Sequence, residues 1–324
     1  MFDFNNKKVS VTGGAGMIGR EVIDLLVKSN AEVTCIDIIQ PSNLPEDVNF
    51  NKADLRFFDQ CMNAFQDCDY VIACAGIKGS PEACANFPAK FFVPMVQFNT
   101  NCMEAARLCG VEGYVYVSSI GVYSPAEKFI EFELWNGFPS KNDWFGGWAK
   151  RIGELQAEAY KIQNEWNNIK IVRPANVYGA YDNFDPKGSM VIPSLIRKAY
   201  ESENYIEVLG DGSAIRDFIH ASDVARACLF SIVNDIQTPI NVGSGVGYSI
   251  KQLAQTIIEL SGKDLDIKWS EKNNSGDSIR IMDMKLSNSY GFYPEMSLID
   301  GITTTYEWFV NNIEKVNDRF DAFK

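Results

Sequence analysis

The chain has 324 residues, of which 46% are hydrophobic and 22% charged, and its formal net charge is −12. This is the composition of a globular protein that is long enough for one large or two modest domains. A negative surface repels phosphate backbones, which argues against nucleic acid as a partner. No window reaches the run of about 18 apolar residues typical of a membrane span, so no membrane partner is expected.

The cysteines and the start of the chain bear on metal binding and on the compartment. Eight cysteines form no Cys-x-x-Cys pair and the chain holds one histidine, His220, so a metal site is not expected. "MFDFNNKK" lacks the apolar core of a signal peptide. Together with cysteines in apolar runs, this predicts a reducing, cytoplasmic setting.

Strand-like and helical patterns alternate in the first half of the chain. "KKVSVTGGAGMIGREVIDLLVKSN" is a strand, a glycine-rich turn and an amphipathic helix, and "AEVTCIDI", "CDYVIACAG", "GYVYVSS" and "NIKIVRP" are further strands. Such alternation predicts a Rossmann-type, doubly wound parallel sheet, an α/β fold. We place an NAD-binding domain at residues 1–176 and expect the segment of about 215–245 to return to it.

Residues 177–324 are predicted to form a smaller α/β region that binds the substrate. "MVIPSLIRKAY", "SIKQLAQTIIEL" and "LIDGITTTYEWFVNNI" have helical patterns, and Ser249 is placed to cap the second. "IEVLGDGSAIRDFIH" predicts two short strands around a Gly-Asp-Gly turn. Ser222 is the expected N-cap of the helix "SDVARACLFSIV".

A glycine-rich loop follows the first predicted strand. In "TGGAGMIG", Gly13, Gly16 and Gly19 would let backbone N–H groups approach a pyrophosphate at a helix N-terminus. The next strand ends at Asp37, whose carboxylate can accept hydrogen bonds from ribose hydroxyls and would repel a 2′-phosphate, which favours NAD over NADP. The loop residues between the last two glycines, Met17 and Ile18, are included in the predicted cofactor site.

Two further strand ends complete the predicted cofactor site. "ADLRFFD" would place Asp54 and Leu55 near the adenine; the alternative of a solvent-exposed strand end applies to Asp37. Ala75 in "ACAGIKG" belongs to a run of small residues that can pass under the cofactor, although such residues also serve helix–strand packing.

The chain resembles the extended short-chain dehydrogenase/reductase family, and within it the GDP-sugar enzymes of the GDP-fucose synthase type. The resemblance covers about residues 8–310 and is carried by "TGGAGMIG", "VYVSSIGVY", "AKRIGE", "IVRPANVYG", "VIPSLIRKA", "DGSAIRDFIHASDVARA" and "INVGSG", in the family's order. It implies that Pro174 lines the cofactor site. It also implies a GDP-sugar site formed by Asn176, Met190, Val191, Ser194, Arg197 and Arg216.

The catalytic positions depart from the family pattern. The resemblance gives Ser118 or Ser119 as the catalytic hydroxyl and Lys150 as the catalytic lysine, but Gly146 stands where the family has its tyrosine. The cysteine and histidine that epimerise carbon in GDP-fucose synthases correspond to Ile120 and Met190, which cannot carry a proton. Trp148 and its bulky neighbours predict little room for a ring at position 146.

These features favour NAD-dependent oxidation of a nucleotide-sugar, a GDP-linked hexose or heptose, at C4 to the 4-keto sugar, a step of surface polysaccharide synthesis. Loss of a general base costs about 10²- to 10⁴-fold, so hydride transfer survives it. The alternatives are a 4-epimerase or dehydratase, or a catalytically silent NAD(H)-binding protein. A serine, a water in the gap or the Tyr123 phenol could take the proton.

Three further expectations concern assembly and two single residues. Helical patterns at about 88–109 and 146–166 fall where the family forms a four-helix dimer interface, which implies a homodimer. His220 is expected to stabilise the fold rather than the site. Arg216 could bind diphosphate bidentately or form a surface ion pair with Asp217 or Asp223.

Overall fold

A computed structural model describes residues 2–41, 43–270, 277–314 and 316. The described residues form fifteen strands: β1 (Lys8–Thr12), β2 (Glu32–Asp37), β3 (Asn49–Lys52), β4 (Tyr70–Ala73), β5 (Gly113–Val117), β6 (Lys128–Phe129), β7 (Ile169–Pro174), β8 (Asn176–Tyr178), β9 (Tyr205–Leu209), β10 (Ile215–Arg216), β11 (Phe218–His220), β12 (Ile240–Val242), β13 (Tyr248–Ser249), β14 (Asp266–Ser270) and β15 (Ile279–Met282).

Ten α-helices connect and cover these strands. In chain order they are α1 (Met17–Lys28), α2 (Phe58–Phe65), α3 (Pro81–Asn86), α4 (Pro88–Leu108), α5 (Trp144–Asn164), α6 (Val191–Glu201), α7 (Ala221–Val233), α8 (Ile250–Ser261), α9 (Lys285–Ser289) and α10 (Leu298–Asn311). Across the described ranges, no helix combines the length and apolar character needed to cross a membrane.

The central sheet has seven parallel strands in the order β12-β7-β5-β4-β1-β2-β3. The chain winds outward from β1 in one direction through β2 and β3, and in the other through β4, β5 and β7. This confirms the predicted Rossmann-type fold. The strands are buried because helices cover both faces, and such strands are nearly continuous runs of apolar residues, as β5 is. All six residues of β7 are also buried, including Lys170 and Arg173.

Each face of the sheet has its own apolar core. On one face, side chains of β1, β5 and β7 pack with α1 and α7, and Ile23, Leu26 and Leu229 are fully buried there. On the other face, α2, α4 and α5 pack with the same strands around Phe65 and Met103. This second core fixes α5 against β5 and β7 through Ala149 and Ala157.

The rest of the chain forms a cap with its own core around Phe184, Ile196 and Phe309. Two short strands flank the Gly-Asp-Gly turn, as expected, but they do not pair with each other: β9 pairs with β14, and β10 lies between β13 and β15. Strand β12 lies beside β7 in the central sheet. The boundary at residue 176 stays a prediction.

Helix caps follow the sequence in one case and depart from it in another. Ser249 forms a complete capping box with Gln252 at the start of α8, as expected. The N-cap of α7 is His220 rather than Ser222, because its Nδ1 accepts from the Ser222 N–H at 3.3 Å. His220 also packs its ring edge-on against Tyr178, and burial lowers its pKa. These contacts agree with a role in the fold.

A buried polar network joins α5 to the sheet. Glu154 of α5 pairs with Arg173 of β7 at 2.6 Å, and the two side chains are 4% and 3% exposed. Glu154 also accepts from the Ser118 hydroxyl at 2.5 Å, and Arg173 donates to Tyr123 Oη at 3.0 Å. The Tyr123 hydroxyl in turn donates to Asn241 Oδ1 at 2.7 Å. Because every member has a partner, the network fixes α5 rigidly.

We expect Glu154→Ala to lower the free energy of unfolding by about 3–5 kcal/mol, because it leaves the Arg173 guanidinium buried without its carboxylate. Glu158→Ala, on the exposed side of the same helix, is the matched control and should change stability by at most about 0.5 kcal/mol. Urea unfolding measures both. Equal losses in the two variants would contradict the role assigned to the network.

Candidate active site

The carboxyl ends of β1, β2, β4, β5 and β7 meet at one edge of the sheet, where the chain changes winding direction between β1 and β4. Ligands of open α/β sheets bind in the crevice at such an edge. The sequence-predicted residues Gly13, Asp37, Ala75, Ser118 and Pro174 each lie at or just beyond one of these strand ends. The fold therefore brings the predicted site together.

The glycine-rich loop makes close contacts that only glycine permits. Gly13 has a φ of +62°, and a Cβ there would lie 2.7 Å from the Ala75 Cα. A Cβ on Gly19 would lie 2.3 Å from the Gly13 carbonyl oxygen. Helix α1 starts at Met17 with Gly16 as N-cap, and no described side chain caps it. This cradle of backbone N–H groups fits a pyrophosphate.

Asp37 is held against the same loop. Its carboxylate accepts from the Ala15 N–H at 3.0 Å and from the Ile38 N–H at 2.7 Å. These bonds fix the position of the carboxylate at the end of β2, beside the glycine loop, where a dinucleotide presents its adenosine ribose. The arrangement fits NAD.

The predicted adenine residues differ from each other in their surroundings. Asp54 forms an ion pair with Arg56 at 2.5 Å, and this hydrogen bond lowers its pKa. Leu55 is 7% exposed and belongs to the core on the α4 side. Ala75 donates its N–H to Thr12 Oγ1 at 3.2 Å, which ties the end of β4 to that of β1.

Lys150 extends from α5, and its buried ammonium lies at the end of β5. Its ammonium donates to the Val117 carbonyl at 2.8 Å and lies 5.0 Å from the centre of the Tyr116 ring. Burial lowers the pKa of Lys150 from 10.5 to about 8. A lysine held charged at this depth is costly for stability, so its place at the cleft suits a group that holds a ligand.

The two candidate serines are in different situations. The Ser118 hydroxyl is 3% exposed and donates to Glu154 inside the buried network. Ser119 is less buried, and its hydroxyl accepts from the Gly121 N–H at 3.1 Å. Ser119 is thus the more accessible of the two hydroxyls, and contact of either serine with a substrate stays a prediction.

Gly146 leaves a gap that Phe91 of α4 partly fills. A Cβ built on Gly146 lies 3.0 Å from Phe91 Cε1 and 3.2 Å from Phe91 Cζ. The expected obstacle, Trp148, lies elsewhere: it packs with Phe138, Trp144 and the Arg151 guanidinium. Positions 146 and 148 are about 200° apart around a helix, which explains the difference.

The loop after β5 offers no proton-transfer group of its own at the epimerisation position. Ile120 is 6% exposed and apolar, and its neighbour Gly121 has no side chain. Met190 is the N-cap residue of α6. Neither Ile120 nor Met190 can abstract a proton from carbon. Among the described residues, no cluster of three or more His, Cys, Asp or Glu could hold a metal ion.

Two arginines lie side by side on neighbouring strands of the cap. Arg216 of β10 is directly paired in register with Arg280 of β15. Burial, and then the charge of Arg280, lowers the pKa of Arg216. Arg280 pairs with Asp143 at 2.7 Å. Among the described residues, Arg216 forms neither of the ion pairs that the sequence left open: Asp217 accepts from the N–H groups of 244 and 245, and Asp223 pairs with Arg226.

The remaining predicted substrate residues lie on the cap side. Asn176 at the start of β8 donates to the Asp217 carbonyl at 2.8 Å. Val191 and Ser194 lie on the first turn of α6, and Arg197, one turn later, donates to the Phe184 carbonyl and to Glu201. Their contact with a substrate stays a prediction.

Sequence reasoning missed three charged residues at the cleft. Arg280 and Asp143 lack a local motif, because only the pairing of β10 with β15 brings Arg280 beside Arg216. Lys78, which follows β4, pairs at 2.9 Å with Asp182, which is 1% exposed in its side chain. That pair joins the nucleotide-binding part to the loop after β8.

A sequence profile of the NAD dependent epimerase/dehydratase family matches residues 9–243. The chain belongs to this family. The matched segment includes the glycine loop, Asp37 and Lys150, so the cofactor side of the cleft lies wholly within it. NAD or NADP is therefore the expected cofactor class.

Full-length relatives include enzymes of GDP-sugar metabolism. GDP-L-fucose synthase 1 of Arabidopsis thaliana is 29% identical, with 94% of each chain covered. GDP-L-fucose synthase of Escherichia coli is 27% identical over 98% of this chain and 99% of its own. Among solved structures, an epimerase from Methanothermobacter thermautotrophicus is 25% identical with a TM-score of 0.84, covering 97% and 95% of the two chains.

In the absence of ligand, we expect Lys150→Met to raise the free energy of unfolding by about 1–3 kcal/mol at pH 7. Methionine has a volume similar to that of lysine but does not carry the buried charge. This gain in stability should be complete below pH 8 and should disappear as the pH approaches 10.5. The reason is that Lys150 has a pKa of about 8 in the folded protein and 10.5 in the unfolded chain, so only the folded state loses the proton between these values. Urea unfolding across this pH range measures it.

The same variant should bind NAD at least about tenfold more weakly, as loss of one charge-assisted hydrogen bond implies. Lys141→Met, at an exposed position ahead of α5, is the control for both measurements. A variant less stable than the wild type with unchanged NAD affinity would show that Lys150 is a structural residue.

Proposed function

We propose that the protein oxidises a GDP-linked hexose or heptose at C4 to the 4-keto sugar. When bound, NAD supplies the hydride acceptor. The observation that carries the proposal is the combination of a complete cofactor cradle with a buried Lys150, beside a gap where the family's tyrosine is missing. Oxidation and the reverse reduction use the same groups, and the names of the relatives include synthases and an epimerase.

The substrate side of the proposal rests on Arg216 and Arg280. The charge of Arg280 is offset by Asp143 at 2.7 Å, whereas Arg216 donates to the carbonyls of 215 and 278 and forms no ion pair among the described residues. A diphosphate offers oxygens to both forks, and its charge offsets the burial of Arg216. GDP is the nucleoside diphosphate suggested by the resemblance and by the relatives.

The cofactor choice rests on Asp37. A carboxylate fixed by the Ala15 and Ile38 N–H groups accepts bonds from ribose hydroxyls, whereas a 2′-phosphate would meet its charge. NAD is therefore proposed over NADP. A cytoplasmic setting and a place in surface polysaccharide synthesis belong to the same proposal.

A homodimer through α4 and α5 is proposed with it. Leu155 and Ile162 of α5 are 55% and 76% exposed, and Val93 and Leu108 of α4 about half exposed. These apolar side chains lie on the two helices that the family pairs between subunits.

The absorbance of reduced nicotinamide tests the proposal. Purified protein with NAD should show NADH formation on addition of one GDP-sugar, and no change with the matching UDP-sugar. Reduction of a GDP-4-keto sugar by NADH is the reverse assay. Tight binding of both ligands without any spectral change would instead indicate the silent binding protein.

We expect Arg216→Ala to weaken GDP-sugar binding by about 1.5–3 kcal/mol, the range for hydrogen bonds to charged groups. NAD affinity should stay the same, because the arginine lies on the cap side of the cleft. Calorimetry with each ligand measures this, and Arg107→Ala, at a surface ion pair of α4, is the control. A fall in NAD affinity instead would place Arg216 in the other half of the site.

Gly146→Tyr should reduce NADH formation, because the new side chain would run into the Phe91 ring. Combined with Phe91→Ala, the phenol has room and lies one helical turn before Lys150, whose ammonium lowers a phenol pKa. We expect the double variant to be at least about tenfold faster than Phe91→Ala alone. The measurement is the steady-state rate of NADH formation by the two single variants and the double variant. Equal rates for Phe91→Ala and the double variant would mean that the phenol does not reach the substrate.

A further inference from the structure

Asp143 immediately precedes α5 but does not do what an aspartate in that position ordinarily does. An N-cap carboxylate usually accepts from backbone N–H groups of the first turn, which contributes about 1 kcal/mol. Asp143 is the N-cap residue of α5, yet its side chain makes no capping bond. Its carboxylate turns instead towards Arg280, at 2.7 Å, and accepts from the Ser140 hydroxyl at 3.3 Å.

The direction of that side chain brings it to the loop after β5. A Cβ built on Gly121 would lie 3.3 Å from the Asp143 Cβ, Cγ and Oδ1 atoms. Gly121 is the residue whose N–H donates to the Ser119 hydroxyl. The carboxylate and Ser119 are therefore neighbours across Gly121, and the space between them exists because position 121 has no side chain.

Asp143 also shares a helical face with the residues of the gap. Gly146 and Lys150 follow it by three and seven residues, which are one and two turns of helix. The close approach of α5 to this loop depends on Gly147, since a Cβ there would lie 2.3 Å from the Gly121 carbonyl oxygen. Two glycines thus bring the start of α5 up to Ser119.

We propose that Asp143 is the group that takes the proton from the sugar hydroxyl in place of the absent tyrosine. This inference rests on the proposed function. As the C4 hydroxyl gives its proton to the Asp143 carboxylate, the C4–H bond breaks, its electron pair leaves with the hydride to an oxidised nicotinamide, and the C=O bond forms. The side chain is 31% exposed, so the proton passes on to solvent.

Arg280 is the positioning residue for this carboxylate. Its bond to Asp143 Oδ2 fixes the orientation of the side chain. Arg280 also belongs to the arginine pair proposed for the diphosphate. In a bound GDP-sugar, the diphosphate would therefore contact Arg216 and Arg280, and the sugar hydroxyl would contact the neighbouring Asp143.

Binding to the NADH-loaded protein, in which no oxidation can occur, tests the contact. Calorimetry compares GDP-mannose with GDP-4-deoxy-mannose. The wild type should prefer the hydroxyl compound by at least about tenfold, as a hydrogen bond to a carboxylate predicts, and Asp143→Ala should reduce the preference to about one. Asp277→Ala is the matched control, because Asp277 faces the same Arg280 at 3.8 Å; it should keep the preference.

Turnover gives the second measurement. Asp143→Asn should slow NADH formation by about 10²- to 10⁴-fold with unchanged NAD affinity, whereas Asp277→Asn should stay near the wild-type rate. A hydroxyl preference that survives in Asp143→Ala, or that Asp277→Ala abolishes equally, would overturn the assignment of Asp143 while leaving the proposed function standing. A wild type that binds neither GDP-sugar would overturn the proposed function and this inference with it.

Discussion

The buried ion pair of Glu154 with Arg173 is the constraint on which the site depends. It joins α5 to β7 and, through Ser118, to the end of β5, all in a region that excludes water. Removing one charge from such a pair costs far more than the pair contributes, so the geometry is rigid. Lys150 and Gly146 lie on this helix and Asp143 is its N-cap residue, so their positions depend on where the pair holds α5.

Four glycines allow close backbone contacts around the rest of the site, because a side chain at these positions would crowd or clash with neighbouring atoms. Gly13 and Gly19 bring the loop against β4 and α1, and Gly121 and Gly147 bring α5 against the loop after β5. The first pair forms a cradle for a dinucleotide. The second brings Asp143 close to the loop that carries Ser119, while Phe91 lies against Gly146. The glycine loop and Lys150 of the family pattern are present, while Gly146 stands at the position of its tyrosine.

The fold and the cofactor site could be predicted because their signals are local. The glycine loop, Asp37 and the alternation of strands with helices each fall within a short stretch of sequence. Arg280 and Asp143 could not be found in this way, since the pairing of β10 with β15 places one beside Arg216 and a missing side chain at Gly121 admits the other. Phe91 rather than Trp148 at Gly146 likewise depends on packing between separate helices, α4 and α5. His220 as the N-cap of α7 is a local contact with Ser222, and it was missed in the sequence because serine is the commoner capping residue.

The transfer of deuterium from C4 of the sugar tests the central claim most directly. GDP-mannose labelled with deuterium at C4 would be incubated with the protein and NAD, and the reduced cofactor would be analysed by mass spectrometry. The account predicts NADH that is heavier by one mass unit, together with a slower rate for the labelled sugar. Unlabelled NADH, or no NADH although both ligands bind, would contradict oxidation at C4.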